Sequence, residues 1–447
     1  MNIKRVLIIQ TDDSYFLHET LQVLTANSAD LAEFDLTVLV APRSLEQLRS
    51  VGYPVPSWVT TDPLAVRQKE YDLSFNLSLN EASWQLHGDV RAPKKSGAYY
   101  EGDELRVPGI WAAWFLTFKG NAPFVTFHMR EIFRNILGLK KKTLAAAGSP
   151  PLARTFIIGA ASADFFSHEE QESFITGLMR RFPGIKILDE SEVRLDQDQS
   201  NTFYVGPASL KALLICEAGA QAIFYGSRFQ GLNLLPEKDG VMLLTTGGKK
   251  LQSQPLLNAL EVILKDREPD ATRELNLYHL SMENVFGAGL DPVWGHEVSY
   301  PFYQAHLVLW NYLLALQDVN LSLRPPHHEQ VLVLDSQLEI LKKLLRLHDY
   351  AMVAVDGVYR EARSASSDPE KLQAGLNTLT EIDATFDKIS ATNPFLRPVI
   401  DFYRIRKGQV EGASLLERSQ NSLLAYTVEH QALSAFEDLL TKLRSHT

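Results

Sequence analysis

The chain has one cysteine, Cys216, in 447 residues. A single thiol can form no intrachain disulfide, and a thiolate cluster around a metal is excluded as well. Its setting, Leu213-Leu-Ile-Cys216, is apolar and helical, which reads as a packed core thiol. Long hydrophobic runs are missing too. No window reaches the roughly 18 apolar residues of a membrane span, and Lys4 and Arg5 precede only Val6 to Ile9, too short for the core of a secretory signal. The expected location is the cytoplasm, with peripheral attachment to a membrane left open. Positive charge is in deficit: 44 Lys and Arg stand against 54 Asp and Glu, a formal net charge of −10. That opposes a non-specific nucleic-acid binder, although a local basic cleft for phosphate remains compatible with it. The sequence has no G-x-S-x-G elbow and no H-E-x-x-H pair, which sets aside a hydrolase triad and a zinc protease. His327-His328 follows two prolines, and adjacent histidines converge poorly on one metal. His279, His296 and His306 have no partner at ligand spacing, so no metal site is expected.

What remains is the composition of a globular protein, 45% hydrophobic and 22% charged, long enough for two or three cores. Val6-Leu-Ile-Ile9 is a buried, parallel-type strand. The loop Gln10 to Phe16 leads into a helix ending near Leu24, and Leu36 to Val40 is the next strand. Ser44 and Gln47 suit the start of a short helix. Tyr71 to Leu77 supplies a further strand, and Phe124 to Phe127 leads into the helix Met129 to Leu137. Strands alternating with helices imply a doubly wound parallel sheet. Lys140-Lys-Lys142 through Pro150-Pro151 reads as a linker, with the lysines solvated or, alternatively, lining a cleft.

A second α/β unit starts at Thr155-Phe-Ile-Ile158, with a helix from about Glu169 to Phe182 and a strand Ile185 to Leu188. Val241 to Leu244 is another buried strand, ending in Thr245-Thr-Gly-Gly-Lys-Lys250. There Gly247, Gly248 and Lys249 could cradle an anion or make a plain turn. Tyr300 to Leu316 is long enough for a helix packing across both units. From Glu329 onward the pattern is helical only: Leu338, Leu341 and Leu345 keep helical spacing, Asp368-Pro369 opens a helix, and Ser414 with Glu417 forms another capping candidate. The expected domains are 1–145, 150–326 and a helical extension, 329–447, which is a candidate for binding a protein partner or for oligomerisation.

The most informative stretch is Phe203 to Pro236, FYVGPASLKALLICEAGAQAIFYGSRFQGLNLLP. It runs from an extended segment through a Gly-Pro turn to a helix stopped at Gly219, then a strand, Ala222 to Tyr225, and a Gly-flanked loop. Open α/β sheets hold ligands where strands feed such loops. This order resembles glycosyltransferase family 9, the bacterial lipopolysaccharide heptosyltransferases. Phe75-Asn-Leu77, Gly97 to Val107 and Glu131 to Gly138 also resemble family segments in the right order, so the likeness covers roughly the first 320 residues. It implies a GT-B-like pair of doubly wound Rossmann-like domains, here with an all-helical C-terminal extension, and a nucleotide-sugar donor in the cleft between them.

The motif residues depart from the family. Where its donor loop reads roughly N-D-[ST]-G-P-M-H-L, Ser227 stands for Asn, Arg228 for Asp, Gln230 for Gly and Asn233 for His. The Gly-Asp pair after the first strand, whose Asp is the family's acceptor base, falls on Tyr15 and Phe16; Asp12 and Asp13 lie two or three residues earlier. The family segment P-x-G-A-S, followed by basic residues for the donor's phosphates, corresponds to the region of Ser162, with Asp164, Phe165 and Phe166 where the positive charge belongs. Two functions follow. An active enzyme would use Asp12 or Asp13 as base and Ser162, Ser227, Arg228, Asn233, Gly247, Gly248 and Lys249 on the donor side. A pseudoenzyme would keep the scaffold for cell-envelope saccharide metabolism, with transfer reduced or lost, and act by binding. The three replacements favour the second. Arg228 is either a surface or inter-domain salt-bridge former or a bidentate grip on a phosphate or carboxylate. No cofactor is expected.

Overall fold

Every side chain from Val6 to Ile9 is aliphatic, and a strand of that composition belongs in the middle of a sheet covered on both faces. A computed structural model places it there. It describes residues 4–120, 127–139, 155–159, 165–195, 197–226, 235, 241–246, 249–265, 276–281, 289–294, 300–315, 326–364 and 368–445. Strands β1 (Lys4–Gln10), β2 (Phe34–Val40), β3 (Val59–Thr60), β4 (Leu73–Asn76) and β5 (Lys94–Ser96) form an all-parallel sheet in the order β3-β2-β1-β4-β5. Helices α1 (Ser14–Ala26), α2 (Ser28–Leu31), α3 (Pro42–Ser50), α4 (Pro63–Gln68) and α5 (Glu81–Asp89) lie between them. The two-residue period of β1 divides the core. Val6 and Ile8 pack with Leu17, Leu21 and Leu48 on one face, whereas Leu7 and Ile9 pack with Val66, Leu86 and Val90 on the other.

One expected helix start is corrected. Pro42 opens α3 from its first turn, because its fixed φ and missing N–H suit that position. Ser44 therefore lies inside the helix, and its hydroxyl donates to the Asp12 carbonyl at 2.6 Å. A hairpin, β6 (Tyr99–Glu101) and β7 (Glu104–Arg106), precedes α6 (Ile110–Leu116) and α7 (Met129–Leu137). The linker expected at 140–151 and the residues 124–126 lie outside the described residues.

The second sheet has seven strands: β8 (Thr155–Ile158), β9 (Lys186–Asp189), β10 (Thr202–Gly206), β11 (Gln221–Gly226), β12 (Val241–Thr245), β13 (Asn276–Ser281) and β14 (Gly289–Trp294). Their order is β14-β13-β12-β11-β10-β8-β9. The first five in sequence are parallel and the last two antiparallel. Helices α8 (His168–Arg181) and α10 (Ser253–Lys265) cover one face through Phe174, Leu178, Leu256 and Leu260. Helix α9 (Leu210–Glu217) covers the other, where Ile157, Tyr204, Phe224 and Leu243 join the core of the first unit.

Helix α11 (Tyr300–Ala315) crosses between the units. Its Tyr300 stacks on Tyr278 of β13 at 5.6 Å, and its Trp310 packs on Trp114 of α6 at 4.1 Å between ring centroids. Four helices then complete the chain, α12 (His328–Arg363), α13 (Pro369–Thr392), α14 (Arg397–Gly408) and α15 (Leu415–Ser445). As the sequence predicts, the Asp368 side chain caps α13 by accepting from Glu370 N–H. These helices are fused to the α/β units: Trp310 also packs on Phe402, His306 on Phe436, and Gln409 accepts from Val107 N–H and donates to Leu105 O, as a neighbouring strand would. The chain thus has the expected mixed α/β class, two doubly wound Rossmann-like units followed by an all-helical extension. Among the described residues no helix is long and apolar enough to cross a membrane.

Candidate functional site

A doubly wound sheet opens a crevice at the carboxyl edge where its strand order reverses. In the first sheet that point lies between β1 and β4, and Asp12 stands in it, just beyond β1. Its two carboxylate oxygens accept from Leu79 N–H at 2.8 Å and Asn80 Nδ2 at 2.9 Å. Burial raises its pKa above the usual carboxylate range, against the lowering pull of those two donors. The neighbouring residues close the same gap: Gln10 Nε2 donates to Leu77 O at 2.6 Å, and Thr11 N–H to Ser78 Oγ at 2.8 Å. Asp13 does a different job. Exposed, it caps α1, accepting from Tyr15 and Phe16 N–H at 3.0 and 3.1 Å. The structure therefore separates the two candidate bases, with Asp12 in the crevice and Asp13 serving a helix end.

In the second sheet the order reverses between β8 and β10. Gly159 follows β8 and Gly206 ends β10. A Cβ on Gly159 would come 2.3 Å from the Tyr204 hydroxyl and 2.9 Å from Gly206 Cα. Glycine is needed at both places because the phenol of Tyr204 folds over them. Its Oη lies 2.9 Å from Pro207 O and 3.1 Å from Glu190 Oε2, and burial, reinforced by the Glu190 charge, pushes the phenol's pKa far up. The other Glu190 oxygen accepts from the Ser209 hydroxyl. Ser209 is the cap of α9, its Oγ accepting from Ala212 N–H at 2.9 Å. A carboxylate of the chain itself thus sits at the positive end of a helix, where a ligand's phosphate would otherwise be drawn. The buried Tyr225 hydroxyl, at the end of β11, has no hydrogen-bond partner among the described residues.

Of the donor-side candidates, Lys249 is exposed in a turn closed by Thr246, whose hydroxyl donates to Lys249 O at 2.5 Å. Ser162, Ser227, Arg228, Asn233, Gly247 and Gly248 lie outside the described residues.

The carboxyl edges of the two sheets meet. Tyr15 Oη donates to Ala208 O at 3.3 Å, and beside that contact α1, α7 and α9 share a buried ion network. His18 donates to Glu19 Oε1 at 3.0 Å and to Glu217 Oε2 at 3.1 Å. Gln22 Nε2 donates to the same Glu217 oxygen at 3.0 Å, and the Arg130 guanidinium grips both Glu19 and Glu217. Burial alone would lower the His18 pKa; the two carboxylates outweigh it and raise it to about 9. Burial likewise opposes ionisation of Glu19 and Glu217, yet Arg130 and His18 hold both below the usual range. The donor atoms of His18, Glu19 and Glu217 lie close enough to hold a metal ion. The arrangement fits an ion lattice better, because the two His18 nitrogens face different carboxylates and Arg130 fills the space between them. Two cations balance two anions.

Sequence reasoning missed this network and the Tyr204–Glu190 pair. The available signal in α1 is His18-Glu19-Thr20 between Leu17 and Leu21: all five are buried, and beyond them only Gln22, Thr25 and Ala26 of the helix are left to solvent.

No protein-family model matches the sequence, and no curated protein sequence matches it. Among solved structures, the chain is similar to E. coli heptosyltransferase WaaC with ADP, at 15% identity over 59% of this chain and 97% of that one, with a TM-score of 0.36. It is similar to the same enzyme with ADP-2-deoxy-2-fluoro heptose at 16% identity, 59% and 99% coverage and a TM-score of 0.35. A glycosyl transferase family 9 protein from Veillonella parvula DSM 2008 gives 12%, 60%, 99% and 0.37. Likeness at this level leaves the reading of the chain to its own sheets and side chains.

Proposed function

We propose that this chain is a heptosyltransferase-like protein of bacterial cell-envelope saccharide metabolism in which sugar transfer is reduced or lost, and which acts by binding. One observation carries the reading: at both switch points, groups of the chain itself engage the polar side chains that stand there. Leu79 N–H and Asn80 Nδ2 donate to Asp12, and the Glu190 carboxylate, held by the Tyr204 phenol and the Ser209 hydroxyl, stands at the start of α9 beside the second switch point. A diphosphate entering there would meet a fixed negative charge, which is repulsive. The replaced motif residues support the same view, as does the neutral ion lattice that ties α1 and α7 to α9. Calorimetric titration with ADP, UDP and their sugars tests it. No saturable heat and no turnover are expected; release of a nucleoside diphosphate from a nucleotide sugar by the purified chain would overturn it.

Asp12 favours a second reading, an active GT-B transferase. A carboxylate with a raised pKa at a crevice mouth suits general-base work near neutral pH. In that case Asp12→Asn abolishes a measurable transfer, whereas the scaffold reading has none to abolish.

A further inference from the structure

We propose that the outer face of α12 and α15 is where two copies of this chain pair, about a two-fold axis that runs along the helices. The two helices lie antiparallel, side by side: His348 Nε2 bonds Glu429 Oε2 at 3.1 Å, and Arg444 Nε donates to Asp335 Oδ1 at 3.0 Å. That register sets Tyr350 level with Val428 and Val353 beside Leu424. All four face solvent, being 69, 41, 72 and 65% exposed in that order, and large apolar side chains left together in water mark an interaction surface. The spacing is that of a packing seam. On α12 the exposed residues Lys343, Arg346, Tyr350, Val353 and Gly357 step by three and four, and on α15 Asn421, Leu424, Val428, Gln431, Ala435 and Asp438 do the same. Helices that pack along their length on another helix keep this period.

Charge selects a second copy as the occupant. Lys343 and Arg346 are exposed and have no ion-pair partner among the described residues, and the same holds for Asp438, which the register puts near their level on α15. A two-fold axis along the helices lays α12 of one copy over α15 of the other at the same level, and every contact then occurs twice. Tyr350 and Val353 cover Val428 and Leu424 of the second copy, while Lys343 and Arg346 meet its Asp438. An anionic lipid surface would satisfy the two cations but repel Asp438. Gly357 fits the same arrangement. A Cβ there would meet nothing within 4 Å in this chain, and a glycine weakens a helix interior; facing another helix, it permits close approach. From Leu332 to Arg360, both exposed, the face is about 42 Å long and about 20 Å wide, close to the roughly 800 Å² per partner of a stable interface.

Sedimentation equilibrium of the full chain, from about 1 to 100 μM, reads the association. The mass is expected to rise toward twice the chain's 50.2 kDa. Arg346→Glu and Asp438→Arg should each weaken the dimer about tenfold or more, because each sets like charges against one another. Mixing the two variants should restore it, since in the mixed dimer each carboxylate at these positions faces an arginine. Both positions are exposed, and circular dichroism checks that the fold is kept. The proposal is overturned by a dimer that neither variant weakens, or by variants that stay apart when mixed. It is equally overturned by a parent chain that remains monomeric throughout; flotation of that monomer with phosphatidylglycerol vesicles would then give the face to a lipid surface.

Discussion

His18 Nε2 stands 3.1 Å from Glu217 Oε2, so that a residue from the first α/β unit and one from the second share a buried charge. With Arg130 and Glu19 they make a charge-balanced joint. Such a joint contributes little net energy compared with an apolar one of equal shape, but losing one member leaves the others unpaired in a dry place.

The joint predicts a pH dependence. The His18 pKa rises from 6.5 in the unfolded chain to about 9 in the folded one. Its proton is therefore held more tightly by the native state. This stabilisation is complete below pH 6.5 and drains away as pH climbs through 9, and its size is on the order of 3 kcal/mol. Thermal melts between about pH 6 and 10 should fall more steeply for the parent than for His18→Gln; parallel curves would remove His18 from the joint.

Arg130→Met should cost about 3–5 kcal/mol in urea denaturation, because Glu19 and Glu217 lose their shared cation. Adding Glu217→Met should restore part of that loss, since one orphaned charge disappears with it. Strictly additive losses would mean that the two residues are not coupled.

Glu190→Gln removes the fixed negative charge at the start of α9. If that carboxylate keeps phosphate out, the variant should show saturable ADP binding where the parent shows none. A variant as silent in calorimetry as the parent would show that Glu190 does not guard the crevice.

Truncation after residue 328 should give insoluble protein. Trp310 is fully buried against Trp114 and Phe402, and removal of α14 and α15 would uncover it. The single change Trp310→Ala should cost about 3–5 kcal/mol. A soluble, cooperatively folding truncation would instead mark residues 329–447 as a separable module.

The sequence by itself determined the class of the chain. The aliphatic run Val6 to Ile9, the strands Thr155 to Ile158 and Val241 to Leu244, and the Asp368-Pro369 helix start are local patterns, and local patterns are legible in order. It also placed Asp12 just beyond the first strand and Gly206 ahead of the turn into α9. Tertiary structure decided what those positions do. Asp12 meets Asn80, Tyr204 meets Glu190, and Glu217 meets both His18 and Arg130, across sequence separations that no periodicity encodes. A charged residue in a helical pattern looks solvated until the opposing element is known, because burial and charge pairing belong to the packed whole rather than to any one segment.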